Sequence, residues 1–100
     1  MFNVIGTNTY LTEIKKWTKT DREAAEKLPK KLAENPFVGD QLTYPFLREK
    51  RVYYLVYDDL QLVLLVATSG KKDQQETIDH IKSQLDEYRK IADEIARRVS

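Results

Sequence analysis

The sequence predicts an α+β fold: an N-terminal strand, a helical hairpin, an antiparallel β-meander and a long C-terminal helix, in that order. Apolar residues recur at helical spacing in the first third of the chain, and β-branched and aromatic residues concentrate between residues 52 and 67. A second helical pattern occupies the end. With 100 residues, 41% of them hydrophobic, the chain has the length of one domain. We therefore expect a core over residues 1–72 and an amphipathic helix over residues 73–100, both in the same domain.

The N-terminal segment contains a short strand and the first helix. Residues 2–5 are an apolar run closed by Gly6, long enough for an edge strand. Each of the next three residues, Thr7, Asn8 and Thr9, has a side chain suited to cap a helix. An apolar stripe at helical spacing follows and consists of Tyr10, Leu11, Ile14 and Trp17. This stripe predicts a short amphipathic helix.

A second helix completes the predicted hairpin. Thr20 and Glu23 fit a capping box, in which each side chain satisfies a free backbone amide near the other, so the helix is expected to begin near Asp21. Its apolar residues keep helical spacing as far as Asn35. Pro29 lies inside this segment and is expected to kink the helix or break it locally.

The middle of the chain predicts the β-meander. Residues 42–50 form a weaker pattern interrupted by Pro45, whereas residues 52–57 and 60–67 predict strong strands. Two aspartates separate the strong strands, which is the length of a two-residue hairpin connection. We therefore expect these strands to pair antiparallel.

Alternation along the strong strands predicts a sheet with two apolar faces. On the first, one face carries Tyr53, Leu55 and Tyr57 and the other carries Val52, Tyr54 and Val56. On the second, Leu62, Leu64 and Val66 oppose Val63, Leu65 and Ala67. Because a helical hairpin covers only one face, another part of the chain or a partner must cover the second face.

The C-terminal segment has the strongest helical pattern. Seven apolar residues follow one another at steps of three and four: Ile78, Ile81, Leu85, Tyr88, Ala92, Ile95 and Val99. One helix over residues 73–98 is about 39 Å long, whereas a compact core of the preceding residues has a diameter of about 28 Å. The far end therefore needs a partner or a bend back, unless it frays. We predict a homodimer or hetero-complex through Tyr88, Ala92, Ile95 and Val99.

Composition excludes several classes of site. The chain has no cysteine and one histidine, which excludes disulfides, thiolate catalysis, cysteine zinc sites and histidine-pair metal sites. It has no glycine-rich phosphate loop, and we expect no cofactor and no metal. His80 lies among acidic residues and receives no role. No apolar run reaches membrane-spanning length and no secretory signal is recognisable, so we expect a cytoplasmic protein.

The basic residues form two groups that an antiparallel meander can bring together. Arg48, Lys50 and Arg51 lie between the weak and the strong strands, and Lys71 and Lys72 follow the last strand. Such groups can hold phosphates and stabilise the charge on an attacked phosphodiester. Three tyrosines offer rings on which bases can stack, and they are Tyr53, Tyr54 and Tyr57. Alternatively, the basic residues form an ordinary solvent-exposed surface and the tyrosines belong to the hydrophobic core.

Charge is divided unevenly along the chain. Residues 1–72 carry a net charge of +3 and residues 73–100 a net charge of −2, which together give the overall +1. The net charge of the whole chain is therefore near neutral although residues 1–72 are basic. Such a core is compatible with a nucleic-acid partner, although the whole chain is not a polycation.

Two sequence blocks carry a resemblance to a known family. Residues 32–36 read Leu-Ala-Glu-Asn-Pro at a predicted helix end, and residues 47–57 contain Leu-Arg-Glu-Lys-Arg followed by Tyr-Leu-Val-Tyr. Over residues 2–72 the chain resembles the RelE/ParE superfamily of type II toxin–antitoxin toxins, especially archaeal RelE-like mRNA interferases. The resemblance implies a ribosome-dependent mRNA endonuclease, in which basic residues, without a metal, help a 2′-hydroxyl to attack the adjacent phosphate.

The resemblance also implies site residues and partners. Arg48, Arg51 and Lys71 would be catalytic; Lys50, Lys72 and Tyr53 would bind RNA. The partners would be a RelB-like antitoxin, the ribosome and mRNA. A tyrosine that commonly follows the last basic residue in the family is absent here, so a catalytically inactive RelE-fold binding protein and a ParE-like gyrase inhibitor remain alternatives. The long last helix would lie over the sheet, take the place of the antitoxin, or build a dimer.

Overall fold

The computed structural model describes residues 2–35, 43–46 and 50–99, with the backbone alone for residues 43–46, 71 and 99. Within these residues, four strands and four α-helices follow one another. The strands are β1 (Asn3–Gly6), β2 (Thr43–Phe46), β3 (Lys50–Tyr57) and β4 (Leu62–Gly70). The helices are α1 (Asn8–Lys15), α2 (Lys19–Glu34), α3 (Gln74–Ser83) and α4 (Leu85–Val99). Two single-turn 3-10 helices, Asp58–Leu60 and Lys71–Asp73, flank β4.

The strands form one mixed sheet in the order β1-β4-β3-β2. β2, β3 and β4 pair antiparallel, and β1 pairs parallel to β4, which confirms the predicted meander and the predicted N-terminal edge strand. β2 forms the other edge and includes Pro45, because an edge strand tolerates a residue without an amide hydrogen. The α+β fold class is therefore as predicted.

The connection between β3 and β4 is longer than the predicted two-residue hairpin. A 3-10 turn over Asp58–Leu60 is followed by Gln61, whose φ of 50° is left-handed. The Gln61 side-chain amide donates to the Asp58 carbonyl at 2.7 Å, which closes the turn. The tight two-residue turn favours glycine or asparagine, and neither is present at Asp58 or Asp59.

A β-bulge changes the predicted alternation on β4. Tyr53 pairs with Ala67 and the next residue, Tyr54, pairs with Leu65, so Val66 is an extra residue on β4. Ala67 consequently packs on the same side of the sheet as Val66, although alternation had placed them on opposite faces. The bulge therefore decides which way the residues at the end of β4 point.

The cap of α1 is among the predicted candidates, whereas the cap of α2 differs from the prediction. The Thr7 hydroxyl accepts from the Tyr10 amide and caps α1, as one of the three predicted candidates. α2 begins two residues earlier than predicted, because the Thr18 hydroxyl accepts from the Asp21 amide at 3.3 Å. Thr20 is therefore inside the helix. α2 runs without interruption through Pro29.

The sheet is covered on both faces, as its two apolar faces predict. α1 and α2 cover one face, over a first core cluster of buried residues: Tyr10, Leu28, Leu32, Val52, Tyr54, Val63 and Leu65. α3 covers the other face, over a second core cluster: Tyr53, Leu55, Leu64, Val66, Ala67 and Ile81. Residues of α4 pack against this second cluster as well.

The C-terminal segment is helical as predicted but bends back instead of extending as one rod. α3 ends at Ser83 and α4 begins at Leu85, with a break at Gln84. Ala92 is fully buried, and Tyr88 and Ile95 pack against the second core cluster. The burial of Ala92 corrects its predicted role in binding a partner. Tyr88 and Ile95 are partly exposed, so their role in binding a partner stays a prediction, and the side chain of Val99 lies outside the described residues.

An arginine joins α4 to the turn between β3 and β4. The Arg89 guanidinium contacts Asp59 at 2.7 Å and Asp93 at 3.1 Å, and it lies 5.4 Å from the centre of the Tyr57 ring. The hydrogen bond from Arg89 lowers the pKa of the Asp59 carboxyl. This contact holds the first part of α4 beside the turn between β3 and β4. The apolar contacts of Tyr88 and Ile95 hold α4 against the second core cluster.

Candidate nucleic-acid interface

The strand register brings the predicted basic groups together at one end of the sheet. Lys50 pairs with Gly70, and Arg51 pairs with Ser69. Directly opposed residues of antiparallel strands have Cα atoms about 5 Å apart, and Lys71 and Lys72 come directly after Gly70. We call this end, defined by Lys50, Arg51, Ser69, Lys71 and Lys72, the basic end.

Arg51 lies on the α3 side of the basic end. Side chains alternate along β3, so Arg51 shares its face with Tyr53, which belongs to the second core cluster. The Arg51 side chain is half-buried. Within the described part of the chain, no carboxylate lies within 4.0 Å of its guanidinium. Among these residues, none forms an ion pair that neutralises its charge.

Tyr53 and Ser69 form a hydrogen bond beside Arg51. Their hydroxyl oxygens are 2.7 Å apart, and the Ser69 hydroxyl donates to the Gly70 carbonyl at 2.9 Å. Because a serine hydroxyl has one hydrogen, the Tyr53 hydroxyl is the donor to Ser69. The Tyr53 ring is 0% exposed, which corrects its predicted role as a stacking surface for a base. Tyr54 is 0% exposed as well and offers no stacking surface either.

Lys50 lies on the opposite side of the basic end. It shares its face with Val52, a member of the first core cluster, and its Nζ atom lies 5.7 Å from the centre of the Trp17 ring. Trp17 follows α1 and is half-buried against that cluster. Two consecutive residues, Lys50 and Arg51, thus carry positive charge to the two sides of the same sheet end.

The remaining predicted site residues differ in how far the structure describes them. Lys72 is exposed in the 3-10 turn after β4, and Lys71 is described there by its backbone alone. Arg48 lies outside the described residues. Both lysines belong to this 3-10 turn, and α3 begins at Gln74, one residue after the helix start that the sequence predicts at Asp73.

Contacts from α1 hold the backbone at the end of β4. β1 ends at Gly6, and beyond it the Thr7 amide donates to the Leu65 carbonyl at 2.9 Å. Further along, the Thr68 amide donates to the Glu13 carboxylate at 3.2 Å. These hydrogen bonds satisfy backbone groups on the edge of β4 beyond the end of β1. The backbone leading to Ser69 is therefore held between β3 and α1.

Sequence reasoning missed two residues of this region. Ser69 became relevant only through the strand register, which depends on the bulge at Val66. Trp17 was assigned to an apolar helix stripe, although it stands beside Lys15, Lys16 and Lys19 in the sequence.

Residues 2–35, 43–46 and 50–99 contain no group of three or more side chains that could hold a metal ion. None of the helices within those ranges has the length and apolar character needed to cross a membrane.

Together, the fold and the basic end define a small α+β protein with one mixed sheet, helices on both faces and cations gathered at one sheet end. No family model matches the sequence, and no curated protein matches it. Solved structures do match.

The matching structures include two RelBE toxin–antitoxin complexes and an isolated RelE toxin. A chain of the intact E. coli RelBE toxin–antitoxin complex matches with a TM-score of 0.60 and 18% identity, over 69% of this chain and 95% of that chain. A chain of the toxin–antitoxin complex RelBE2 from Mycobacterium tuberculosis matches with a TM-score of 0.55 and 16% identity, over 70% and 98%. The isolated E. coli RelE toxin matches with a TM-score of 0.55 and 17% identity, over 81% and 99%. The chain therefore has the fold of the RelE toxins.

Proposed function

We propose that this protein is a RelE-like toxin of a type II toxin–antitoxin system, of the archaeal kind that its sequence resembles, and that it cleaves mRNA on the ribosome. The observation that carries the proposal is the register of β3 and β4, which sets Arg51 opposite Ser69 and next to Lys71 and Lys72. The shared fold with RelE toxins supports the same assignment. A protein that acts on translated mRNA is expected to work in the cytoplasm.

The proposed reaction is an internal transfer within the RNA backbone. The 2′-oxygen of one nucleotide forms a bond to the adjacent phosphorus, the bond to the 5′-oxygen breaks, and a 2′,3′-cyclic phosphate and a 5′-hydroxyl result. The 2′-hydroxyl loses a proton and the leaving 5′-oxygen gains one. Negative charge grows on the phosphate in between, and Arg51 with Lys71 stabilises it. Arg48 is assigned to the same task, and Lys50 and Lys72 to holding the RNA backbone.

An antitoxin is the proposed protein partner. Two of the matching structures are toxin–antitoxin complexes. We propose that a RelB-like antitoxin binds this chain and covers the basic end. An acidic segment would match the cations there, because complementary charge speeds association and selects the partner.

A catalytically inactive RelE-fold binding protein is the second candidate. It is favoured by the buried state of Tyr53, whose hydroxyl is committed to Ser69, and by the cover that α3 and α4 provide on the same face. In that case the basic end binds RNA or a ribosome without cleaving. The ParE-like alternative predicts inhibition of gyrase instead.

The deciding experiment adds the purified protein to translating ribosomes and maps mRNA ends by primer extension. We expect cleavage by the wild type, a loss of about a hundredfold in rate for Arg51→Ala, and wild-type rates for Lys82→Ala. Lys82 is an exposed lysine of α3 away from the basic end, and its replacement removes one positive charge in the same way.

Other outcomes select the alternatives. Ribosome binding without cleavage favours the inactive binding protein. Inhibition of gyrase supercoiling in a parallel assay, with no cleavage, favours the ParE-like function. Equal cleavage by wild type and a folded Arg51→Ala variant contradicts the assignment of Arg51. Circular dichroism of each variant establishes that it is folded.

A further inference from the structure

We propose that Glu13 is a positioning residue of the basic end, because its carboxylate holds the last residues of β4 and thereby keeps Ser69 in place opposite Arg51. This inference rests on the proposed function, since it names a residue on which the rate of cleavage depends without contact with the RNA. It concerns α1, a helix to which the sequence assigns packing alone.

The end of β4 has a neighbouring strand on one side only. β1 pairs with residues 62–65 of β4 and ends there, whereas β4 continues to Gly70. The residues from Thr68 onward are half-buried. A strand end that is paired on one side and partly exposed opens more easily than one that is paired on both sides. The groups that bind the free edge therefore help to fix the register of Ser69 opposite Arg51.

The cap and the body of α1 both bind this free edge. The Thr7 amide donates to the Leu65 carbonyl at 2.9 Å, and the Thr7 hydroxyl donates to the Val66 carbonyl at 3.4 Å. Nearly two helical turns further along α1, the Glu13 carboxylate accepts from the Thr68 amide at 3.2 Å. Within the described residues, this last bond is the contact from α1 that lies nearest the basic end.

The Glu13 carboxylate binds an amide and not a cation. In the part of the chain that the structure describes, no lysine or arginine nitrogen lies within 4.0 Å of it. The side chain is half-buried. A partly buried amide that loses its acceptor is unfavourable, so loss of the bond favours another placement of the Thr68 backbone.

The negative charge of Glu13 and its hydrogen bond have opposite effects on the proposed reaction. The bond holds the strand end in place, whereas the charge opposes the approach of a phosphate to the neighbouring cations. Three substitutions separate the two effects. Glu13→Gln keeps an acceptor oxygen and removes the charge, Glu13→Asp keeps the charge on a side chain that is one methylene shorter, and Glu13→Ala removes both.

Placement of the strand end bears on the rate more than on binding. The proposed reaction needs Arg51 and the cations after Ser69 around the same phosphate, and a small displacement of such groups lowers a rate strongly. Glu13 itself does not contact the RNA in this proposal. A change in kcat with little change in KM is therefore the expected sign of its role.

The test measures kcat and KM for mRNA cleavage on purified translating ribosomes. We expect Glu13→Ala to lower kcat about tenfold with KM little changed, Glu13→Asp to lower kcat as well, and Glu13→Gln to recover most of the loss. Glu26→Ala is the matched control, since Glu26 is an exposed glutamate of α2 and should cleave at the wild-type rate. Circular dichroism establishes that each variant is folded.

Amide hydrogen exchange tests the same placement without requiring cleavage. In Glu13→Ala we expect faster exchange at Thr68, which loses its acceptor, and also at Ser69 and Gly70, because the strand end opens more often. Glu13→Gln should restore slow exchange at all three amides. A purely local effect of the bond would change the exchange of Thr68 alone.

The outcomes separate this inference from the proposed function. Wild-type kcat in a folded Glu13→Ala variant overturns the inference and leaves the proposed cleavage intact, and so does an equal loss in Glu13→Ala and Glu13→Gln. If the wild type cleaves no mRNA, the proposed function fails, and the exchange of Ser69 and Gly70 decides: faster exchange in Glu13→Ala supports the positioning role and unchanged exchange overturns it. If Glu13→Ala does not fold, the comparison of Glu13→Asp with Glu13→Gln replaces it in both measurements.

Discussion

The Tyr53 hydroxyl donates a hydrogen bond to Ser69 across the β3–β4 pair, with 2.7 Å between the oxygens, and the Ser69 hydroxyl donates to the Gly70 carbonyl. This short chain of hydrogen bonds ties a fully buried ring to the strand end that carries the basic residues. Tyr53 therefore supports the structure of the basic end, because its buried ring cannot contact a base.

The bond between Tyr53 and Ser69 is testable by a double-mutant cycle. We expect Tyr53→Phe to lower the free energy of unfolding by about 1 kcal/mol, since it removes one partly buried hydrogen bond. Ser69→Ala should cost as much or more, since it also removes the bond to the Gly70 carbonyl. The double variant should lose clearly less than the sum, because both changes remove the same bond. Urea unfolding measures all three values. Strictly additive losses would contradict the contact.

The start of α2 is testable with two threonines. Thr18→Ala should lower the free energy of unfolding by about 1 kcal/mol, because Thr18 caps the helix through the Asp21 amide. Thr20→Ala is the matched control: Thr20 lies inside α2, where alanine is the better helix former, so stability should stay equal or rise slightly. A larger loss of stability for Thr20→Ala than for Thr18→Ala would instead support the capping box that the sequence predicts.

The packing of α4 is testable at Ala92, which is 0% exposed. Ala92→Leu adds volume to a filled space beneath α4, and we expect a loss of about 1–3 kcal/mol in urea unfolding. Ala96, one turn further on and only half-buried, provides the control, and Ala96→Leu should cost less. Equal stability of Ala92→Leu and wild type would show that Ala92 faces outward, as a partner contact would require.

The contact between Arg89 and Asp59 is testable by titration. The hydrogen bond from Arg89 holds the pKa of the Asp59 carboxyl below its ordinary value, so this contact stabilises the folded state above the ordinary pKa and is lost as the pH falls through the lowered one. Arg89→Gln should raise that pKa, as followed by carboxyl chemical shifts in NMR spectra. Arg98→Gln breaks the ion pair with Glu94 instead and should leave Asp59 unchanged.

The dependence of the free energy of unfolding on pH in the alkaline range is testable at Tyr10. Burial raises the pKa of Tyr10 to about 12, from 10.0. Because the unfolded state loses this proton first, the folded state should lose stability between about pH 10 and pH 12, by up to roughly 3 kcal/mol. Tyr10→Phe should flatten that decline in denaturant unfolding measured across the range. An unchanged slope would show that the Tyr10 hydroxyl is accessible to water.

The amino-acid sequence determined the order of the elements, because the signals for it are local. Apolar spacing in residues 10–32 and the β-type residues of 52–67 identify helices and strands from short windows. The same alternation indicated a sheet covered on both faces. The basic residues that meet at the sheet end were also visible, since an antiparallel pair necessarily brings Arg51 close to the residues after β4.

Only the tertiary structure decided how these elements meet. The bulge at Val66, the burial of Tyr53 and the break at Gln84 each depend on contacts between segments far apart in sequence. An unbroken last helix satisfies the local pattern equally well, but it leaves exposed to water the part of the second face that α4 covers. Burying Ala92, Tyr88 and Ile95 against that face gains free energy that helix continuity at Gln84 does not supply, and so packing outweighs the local pattern.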